Sequence, residues 1–319
     1  MRKLKLDPFI AALLASIAFA YFIPQIDQYL PLHEISRFGI AGIFFFYGLK
    51  LNLSQLFHDL RNWKLHILIQ FTTFFIFPLY IIALLPFLPD DRYRMLWLAL
   101  FFLAALPSTV SSSVVMVSIA KGNIPAAIFN ASISGLIGIF LTPLWMSVFI
   151  GKYGGSFDAS HIVVQLALQV LLPVFLGVIL NRYWGKWASK NKSRLSLFDK
   201  SIILLIVYNS FSDSFNKGIF ESINLLALIS VAIIAILLFY GVYGISNYLS
   251  KSMQFNTADR ITALFCGSKK SLVHGSVFAG VLFHDLPQAG LMLVPIMIYH
   301  AFQLIVVSIK AQKFGLRNK

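Results

Sequence analysis

Apolar runs long enough to cross a bilayer follow one another along almost the whole chain, with gaps too short to hold a soluble domain. A spanning helix needs about 20 mainly apolar residues. Ten runs are predicted to span, at 8–23, 36–51, 65–86, 95–119, 124–150, 162–183, 198–213, 223–249, 258–283 and 288–311. The expected fold class is therefore all-α, a polytopic membrane protein forming one membrane domain over residues 1–319. Composition agrees: 58% of the residues are hydrophobic, 12% are charged and the mean hydropathy is +0.80. Ordinary soluble domains are about half apolar and about a quarter charged. A soluble enzyme, a nucleic-acid-binding protein and a disordered chain are excluded on that ground. The single cysteine, Cys266, allows neither an internal disulfide nor a cysteine zinc cluster.

The net charge of +14 is read as topology rather than as affinity for nucleic acid. Met1–Phe22 has a basic start and an apolar stretch but no small-x-small cleavage site, so it reads as the first span. With ten spans and a cytoplasmic N-terminus, 19 Lys and Arg residues fall inside. Five fall outside (Arg37, Arg92, Arg94, Lys152 and Lys217), and Lys269 and Lys270 fall within a span. This bias places both termini in the cytoplasm and the chain in the plasma membrane, or the inner membrane of a bacterium. The basic run from Arg182 to Lys200 reads as the loop that sets the topology.

Two short strings, Asn123-Ile124-Pro125-Ala126-Ala127 and Asp285-Leu286-Pro287-Gln288-Ala289, are related by a shift of 162 residues. Each reads as a helix cap followed by proline in the first turn, where the missing N–H costs nothing. The same shift carries the first five runs onto the last five within a few residues. The chain then reads as two repeats, 8–150 and 162–312, of five spans each. An odd number of spans gives the halves opposite membrane orientations, as in secondary transporters with a mid-membrane site.

Interruptions fall at corresponding places in the two repeats. Span four contains Pro107-Ser108-Thr109-Val110-Ser111-Ser112-Ser113, and span nine contains Gly267-Ser268-Lys269-Lys270-Ser271. Proline removes an intrahelical hydrogen bond, and glycine and serine weaken a helix further. Pro107 and Gly267 are therefore the expected helix-breaking positions, and spans four and nine are expected to be broken helices that meet. A Ser-rich helix contact with a proline kink is the plainer reading of the same residues.

Lys269 and Lys270 are the most informative residues. A lysine at the centre of a span costs about 2.5–3.5 kcal/mol on insertion scales, and no Asp or Glu lies deep in any span to pair with it. Consecutive helical side chains point about 100° apart, so at most one of the two is expected to face a central site. Three arrangements satisfy such a group: an uncharged amine, hydrogen bonds to carbonyls freed by the break, or an anionic substrate that completes the site. Thr109, Ser111, Ser112, Ser113, Ser268 and Ser271 offer hydroxyls around it, and Gln70 and Asn130 offer amides. His274 and His300 read as hydrogen-bonded bundle residues, and Cys266 as a packing residue. No H-x-x-x-H helix, P-loop, G-x-S-x-G or acidic pair is present. Neither an enzyme, a cofactor nor a metal site is expected.

The strings Pro107–Val114, Ala120–Asn130, Leu141–Pro143 and Phe265–Leu272 resemble the SBF-like branch of the bile acid:sodium symporter superfamily, with similarity over essentially the whole chain. The resemblance implies ten spans, a five-plus-five inverted repeat, a panel and a core region, and crossed broken helices four and nine. It also implies transport of a small molecule through a lipid bilayer. In the bile-acid branch, helix nine carries a Glu followed by a G-M-Q-N-like string and helix four carries a Ser-Asn pair; together these build two sodium sites. Here that Glu is absent, lysines enter, and Ser112-Ser113 stand near the Ser-Asn position. The departure argues against two-sodium coupling and against bile acids as substrate. The expected function is secondary active transport of a small organic anion by alternating access, coupled to sodium or protons. Eukaryotic members of the branch are associated with calcium homeostasis, so a non-transporting regulator acting through partner proteins is the alternative. Oligomeric state is left open.

Overall fold

The computed structural model describes residues 8–26, 30–51, 62–87, 93–153, 167–222, 225–283 and 288–316. Among the described residues the chain is helical and contains no strand. In chain order the helices are α1 (Pro8–Phe22), α2 (Leu32–Lys50), α3 (Trp63–Phe71), α4 (Phe77–Ile82), α5 (Arg94–Ala105), α6 (Ser111–Ile119) and α7 (Ile124–Tyr153). They continue as α8 (Leu172–Lys190), α9 (Lys192–Asn216), α10 (Leu225–Ser252), α11 (Thr257–Gly267), α12 (Leu272–Leu282) and α13 (Ala289–Gly315). Among the described residues, six stretches are both long and apolar enough to cross a membrane: Trp63–Phe87, Ile124–Phe149, Leu168–Lys190, Lys192–Asn216, Leu225–Ser252 and Ala289–Gly315. The outer face of α10 is apolar and open, with Leu225 72%, Leu226 70% and Leu237 56% exposed. Such a stripe is at home against lipid and not in water.

Local chemistry explains where the helices begin and stop. The Asn123 side chain accepts from Ala126 N at 3.1 Å ahead of α7, and the Asn256 side chain accepts from Asp259 N at 2.9 Å ahead of α11. Both satisfy N–H groups that lack partners in the first turn of a helix. Between α3 and α4 the chain takes a π-helical turn, Thr72–Ile76, with Phe77 N bonded to Thr72 O. Pro78 follows at once and has no N–H to give. Carbonyls of this turn are therefore left for other donors; the Trp145 indole takes Phe74 O at 2.8 Å.

The structure corrects one expectation. The basic stretch from Arg182 to Lys200 is not an open loop: α8 runs to Lys190, and α9 starts at Lys192 after a turn at Asn191. Lysine, arginine and alanine are good helix formers, so hydropathy ends the apolar run where the helix goes on. Asp285, Leu286 and Pro287 of the repeat signal lie outside the described residues, as do Arg2, Lys3, Lys5, Arg61, Arg92, Arg317 and Lys319.

The chain divides into two compact units. Unit 1 comprises Met1–Leu51, Asp158–Asn224 and Ser276–Leu293; unit 2 comprises Asn52–Phe157, Leu225–Gly275 and Val294–Lys319. In unit 1, α2 and α8 cross with their backbones in contact: a Cβ at Gly48 would collide with Val174 O, and one at Gly177 with Phe45 O. Small residues allow that approach. Asn181 Nδ2 donates to Leu49 O at 2.7 Å beside the crossing, and Lys50 Nζ lies 3.2 Å from Asp199 Oδ2. Helices α1 and α9 are joined by Ser16 Oγ to Leu204 O at 2.9 Å and by Tyr208 OH to Ile23 O at 2.6 Å. Unit 2 is built around buried rings, among them Phe77, Phe101, Phe102, Phe265 and Tyr299. The two interruptions expected from the sequence fall here, between α5 and α6 and between α11 and α12.

Candidate functional site

The helix breaks at Leu106–Val110 and at Ser268–Ser271 complete each other's backbone hydrogen bonding. At the first, α5 ends at Ala105 and Leu106 is extended, at φ −70° and ψ 152°. Gly138 faces the Pro107 ring so closely that a Cβ there would lie 2.8 Å from it. The last carbonyls of a helix have no partner within it, and in an apolar interior each one left unmade is expensive. The second break supplies the partners. Lys270 Nζ donates to Ala104 O at 2.6 Å and to Leu106 O at 2.7 Å, and Ser271 N donates to Pro107 O at 2.9 Å. Thr142 Oγ1 takes Ala105 O at 2.8 Å. In return, Ser108 Oγ donates to Cys266 O at 2.6 Å, and Ser113 Oγ makes a long 3.5 Å bond to Phe265 O.

Residues of α13 hold the second break from another side. Gln303 receives Lys270 N on Oε1 at 2.8 Å and returns Nε2 to Lys270 O at 2.7 Å. Tyr299 OH donates to Ser268 O at 2.7 Å. Sequence reasoning missed Tyr299 and Gln303. The signal for Gln303 was present, since it is a lone amide in an apolar run three residues after His300. The two pair at 2.9 Å, Gln303 Nε2 to His300 Nδ1.

The two adjacent lysines have different surroundings, although both are 0% exposed. Besides the two carbonyls of the first break, Lys270 Nζ donates to Thr73 O at 2.7 Å and sits 4.0 Å from the centre of the Phe77 ring. All three of its N–H bonds are used. Lys269 Nζ makes one hydrogen bond among the described residues, to Ser112 Oγ at 2.7 Å. Ser112 Oγ in turn donates to Thr109 Oγ1 at 2.9 Å, and Thr109 Oγ1 lies 2.8 Å from Ser113 Oγ. Lys269 therefore ends in a cluster of three hydroxyls on the first turn of α6 and the residues just before it. Among the described residues, two of its N–H bonds have no partner and no carboxylate is bonded to it.

The other expected residues divide as follows. Pro107 lies within the first break, and Gly267 is the last residue of α11 before the second. Ser268 Oγ caps α11 on Leu264 O at 2.6 Å, and Ser271 Oγ lies 3.0 Å from His274 Nδ1. Ser111 opens α6, and its side chain lies outside the described part of the molecule. Gln70 and Asn130 form a separate cluster. Gln70 Nε2 donates to Asn130 Oδ1 at 3.1 Å, while Asn130 Nδ2 lies 2.7 Å from His66 Nδ1 and donates to Ala126 O at 2.8 Å. Asn130 is fully buried. Its replacement by alanine removes the side-chain bonds to Gln70 Nε2, His66 Nδ1 and Ala126 O and leaves a cavity, while Gln70 Nε2 keeps its 3.2 Å bond to the backbone oxygen of residue 130. Asn130→Ala is therefore expected to cost about 2–3 kcal/mol of stability, read as a lower melting temperature of the purified protein.

Residues 7–315 match the SBF-like CPA transporter family. An uncharacterized protein of Pseudomonas aeruginosa is 36% identical over 313 residues, covering 98% of this chain and 94% of that protein. "Putative symporter YfeH" of Escherichia coli is 34% identical, covering 97% of this chain and 93% of its own length. "Sodium/bile acid cotransporter 7" of Danio rerio is 30% identical, with 96% and 93% covered. With the apolar helices, the matched length and the paired helix breaks taken together, this multi-pass membrane protein belongs to the SBF-like CPA transporter family.

Proposed function

We propose that the protein is a secondary active transporter that moves a small organic anion by alternating access, with Lys269 as the group that meets the anion. The observation that carries this reading is the setting of the Lys269 ammonium. It is fully buried, bonded only to the Ser112 hydroxyl among the described residues, and one step from the Thr109 and Ser113 hydroxyls. A cation with spare donors in an apolar interior gains most from an acceptor that brings negative charge. The start of α6 lies in the same cluster, has no side-chain cap among the described residues and adds partial positive charge. Names borne by relatives, a symporter and a sodium/bile acid cotransporter, support the transporter class.

The same proposal includes ten spans arranged as two inverted repeats, 8–150 and 162–312, with both termini in the cytoplasm of a plasma-membrane protein. Broken helices at corresponding positions, α5–α6 and α11–α12, support it. In this reading Thr109, Ser111, Ser112, Ser113 and Ser268 line the site, with Gln70 and Asn130 as further amides. The coupling ion is sodium or a proton.

The test is a thermal-stability screen of the purified protein against small organic anions, at several pH values, with and without sodium. It is followed by uptake of each stabilising anion into liposomes. A ligand raises the melting temperature only if it binds the folded state. At least one anion should stabilise the protein and be taken up, and the sodium and pH arms identify the coupling ion. No stabilisation and no uptake across the set would overturn the reading.

A further inference from the structure

The nitrogen of Lys270 sits in a cage made almost wholly of backbone. Thr73 O, Ala104 O and Leu106 O lie 2.6–2.7 Å from Nζ, and the Phe77 ring centre lies 4.0 Å away. Each wall is available for a reason written in the chain. The π-helical turn would pair Thr73 O with the N–H of residue 78, which is a proline. The N–H that would close the helical bond to Ala104 O is that of Ser108, and it is bonded to Ser134 Oγ at 3.0 Å. Leu106 has left the helix. The carbonyl end of α5 carries partial negative charge, and an aromatic face attracts cations. Among the described residues no carboxylate takes part. Neutral oxygens that converge on one point, held by backbone and out of water, are the requirements for holding a dehydrated monovalent cation.

We infer that Thr73 O, Ala104 O, Leu106 O and the Phe77 face form a site for a monovalent cation of the primary-ammonium type, and that the chain fills it with its own Lys270 side chain as a tethered ligand. Tethering removes most of the entropy cost of bringing a free ion to the site. The Gln303 amide, bonded to both backbone groups of Lys270, fixes the point from which the tether starts. The group that fills the cage is part of the chain and does not exchange with solution. The inference concerns the neighbour of the residue assigned to the anion and does not depend on transport, so either can fail alone.

The experiment removes the tether and offers the ligand back. Lys270→Ala deletes three methylene groups and the ammonium, a piece matched by n-propylammonium. Its melting temperature, measured by fluorescence in detergent, should lie well below that of the wild type and should rise saturably with n-propylammonium. Tetramethylammonium, which has the charge but no N–H, should give no rise at equal ionic strength. Lys270→Met keeps a stem in the cage with no donor; it should be destabilised and should not respond to the amine. Wild-type stability in Lys270→Met would overturn the inference, because the carbonyls would then need no donor. A flat response of Lys270→Ala would also overturn it. If Lys270→Ala is not recovered from membranes alone, extraction in n-propylammonium is the deciding arm: monodisperse protein only with the amine supports the site, and none under either condition sinks it.

Discussion

Lys269→Ala should cut anion uptake at least about tenfold and leave the fold in place. The Lys269 ammonium makes one hydrogen bond within the protein among the described residues, to Ser112, so its loss strands no set of carbonyls. Hydrogen bonds to a charged group contribute about 1.5–3 kcal/mol, equivalent to roughly a 10- to 150-fold loss of affinity for the anion. Uptake in liposomes should fall by about that factor or more, and stabilisation by the anion should vanish. The melting temperature without ligand should hold or rise, since a buried cation that lacks a paired charge is itself costly. Ser112→Ala should produce a smaller loss, because a neutral hydroxyl contributes about 1 kcal/mol. Unchanged uptake in Lys269→Ala would remove this residue from the site.

The second large effect is on stability and falls in unit 1. A methyl group at Gly48 or Gly177 meets backbone oxygen of the opposing helix, Val174 O or Phe45 O, and backbone cannot rotate away as a side chain can. Either Gly→Ala change forces α2 and α8 apart and is expected to cost about 3 kcal/mol or more. The two changes act on one crossing, so the double variant should cost less than the sum of the singles. Gly244→Ala is the control: nothing lies within 4 Å of the added carbon. That change should be neutral, or should stabilise by up to about 1 kcal/mol through helix propensity. Thermal unfolding of the purified variants separates these outcomes.

The residues that made the site legible in the sequence were those whose chemistry conflicts with an apolar run. Pro107, the serines after it, and the Gly267–Ser271 string announced broken helices, and α5–α6 and α11–α12 are interrupted there. The different fates of Lys269 and Lys270 were not legible. Two neighbours in sequence differ only by the rotation between successive residues, and which one meets Ser112 is fixed by the path of the chain through the break. Thr73 left no trace as a participant, because it contributes a carbonyl that every residue has. Only Pro78, five positions later, hinted that this oxygen would lack a partner. Gln70 and Asn130 were read as amides offered to the site, but the bonds of Asn130 to Gln70 and to His66 depend on how α3 packs on α7. The helical character of the basic stretch around Asn191 was hidden because charge density reports where an apolar face stops and not where a helix does.

The reciprocal wiring of the two breaks sets a schedule for biosynthesis. Ala104 O and Leu106 O wait for a lysine that lies 166 and 164 residues further along the chain. The amide of that lysine waits another 33 residues for Gln303. At ordinary elongation rates of about 5–20 residues per second, the early hairpins therefore spend on the order of ten seconds in the bilayer with bare carbonyls. During that interval the insertion machinery or water has to shelter them. Ribosome-nascent chains halted before residue 270 should accordingly be far more open to membrane proteases than the finished protein.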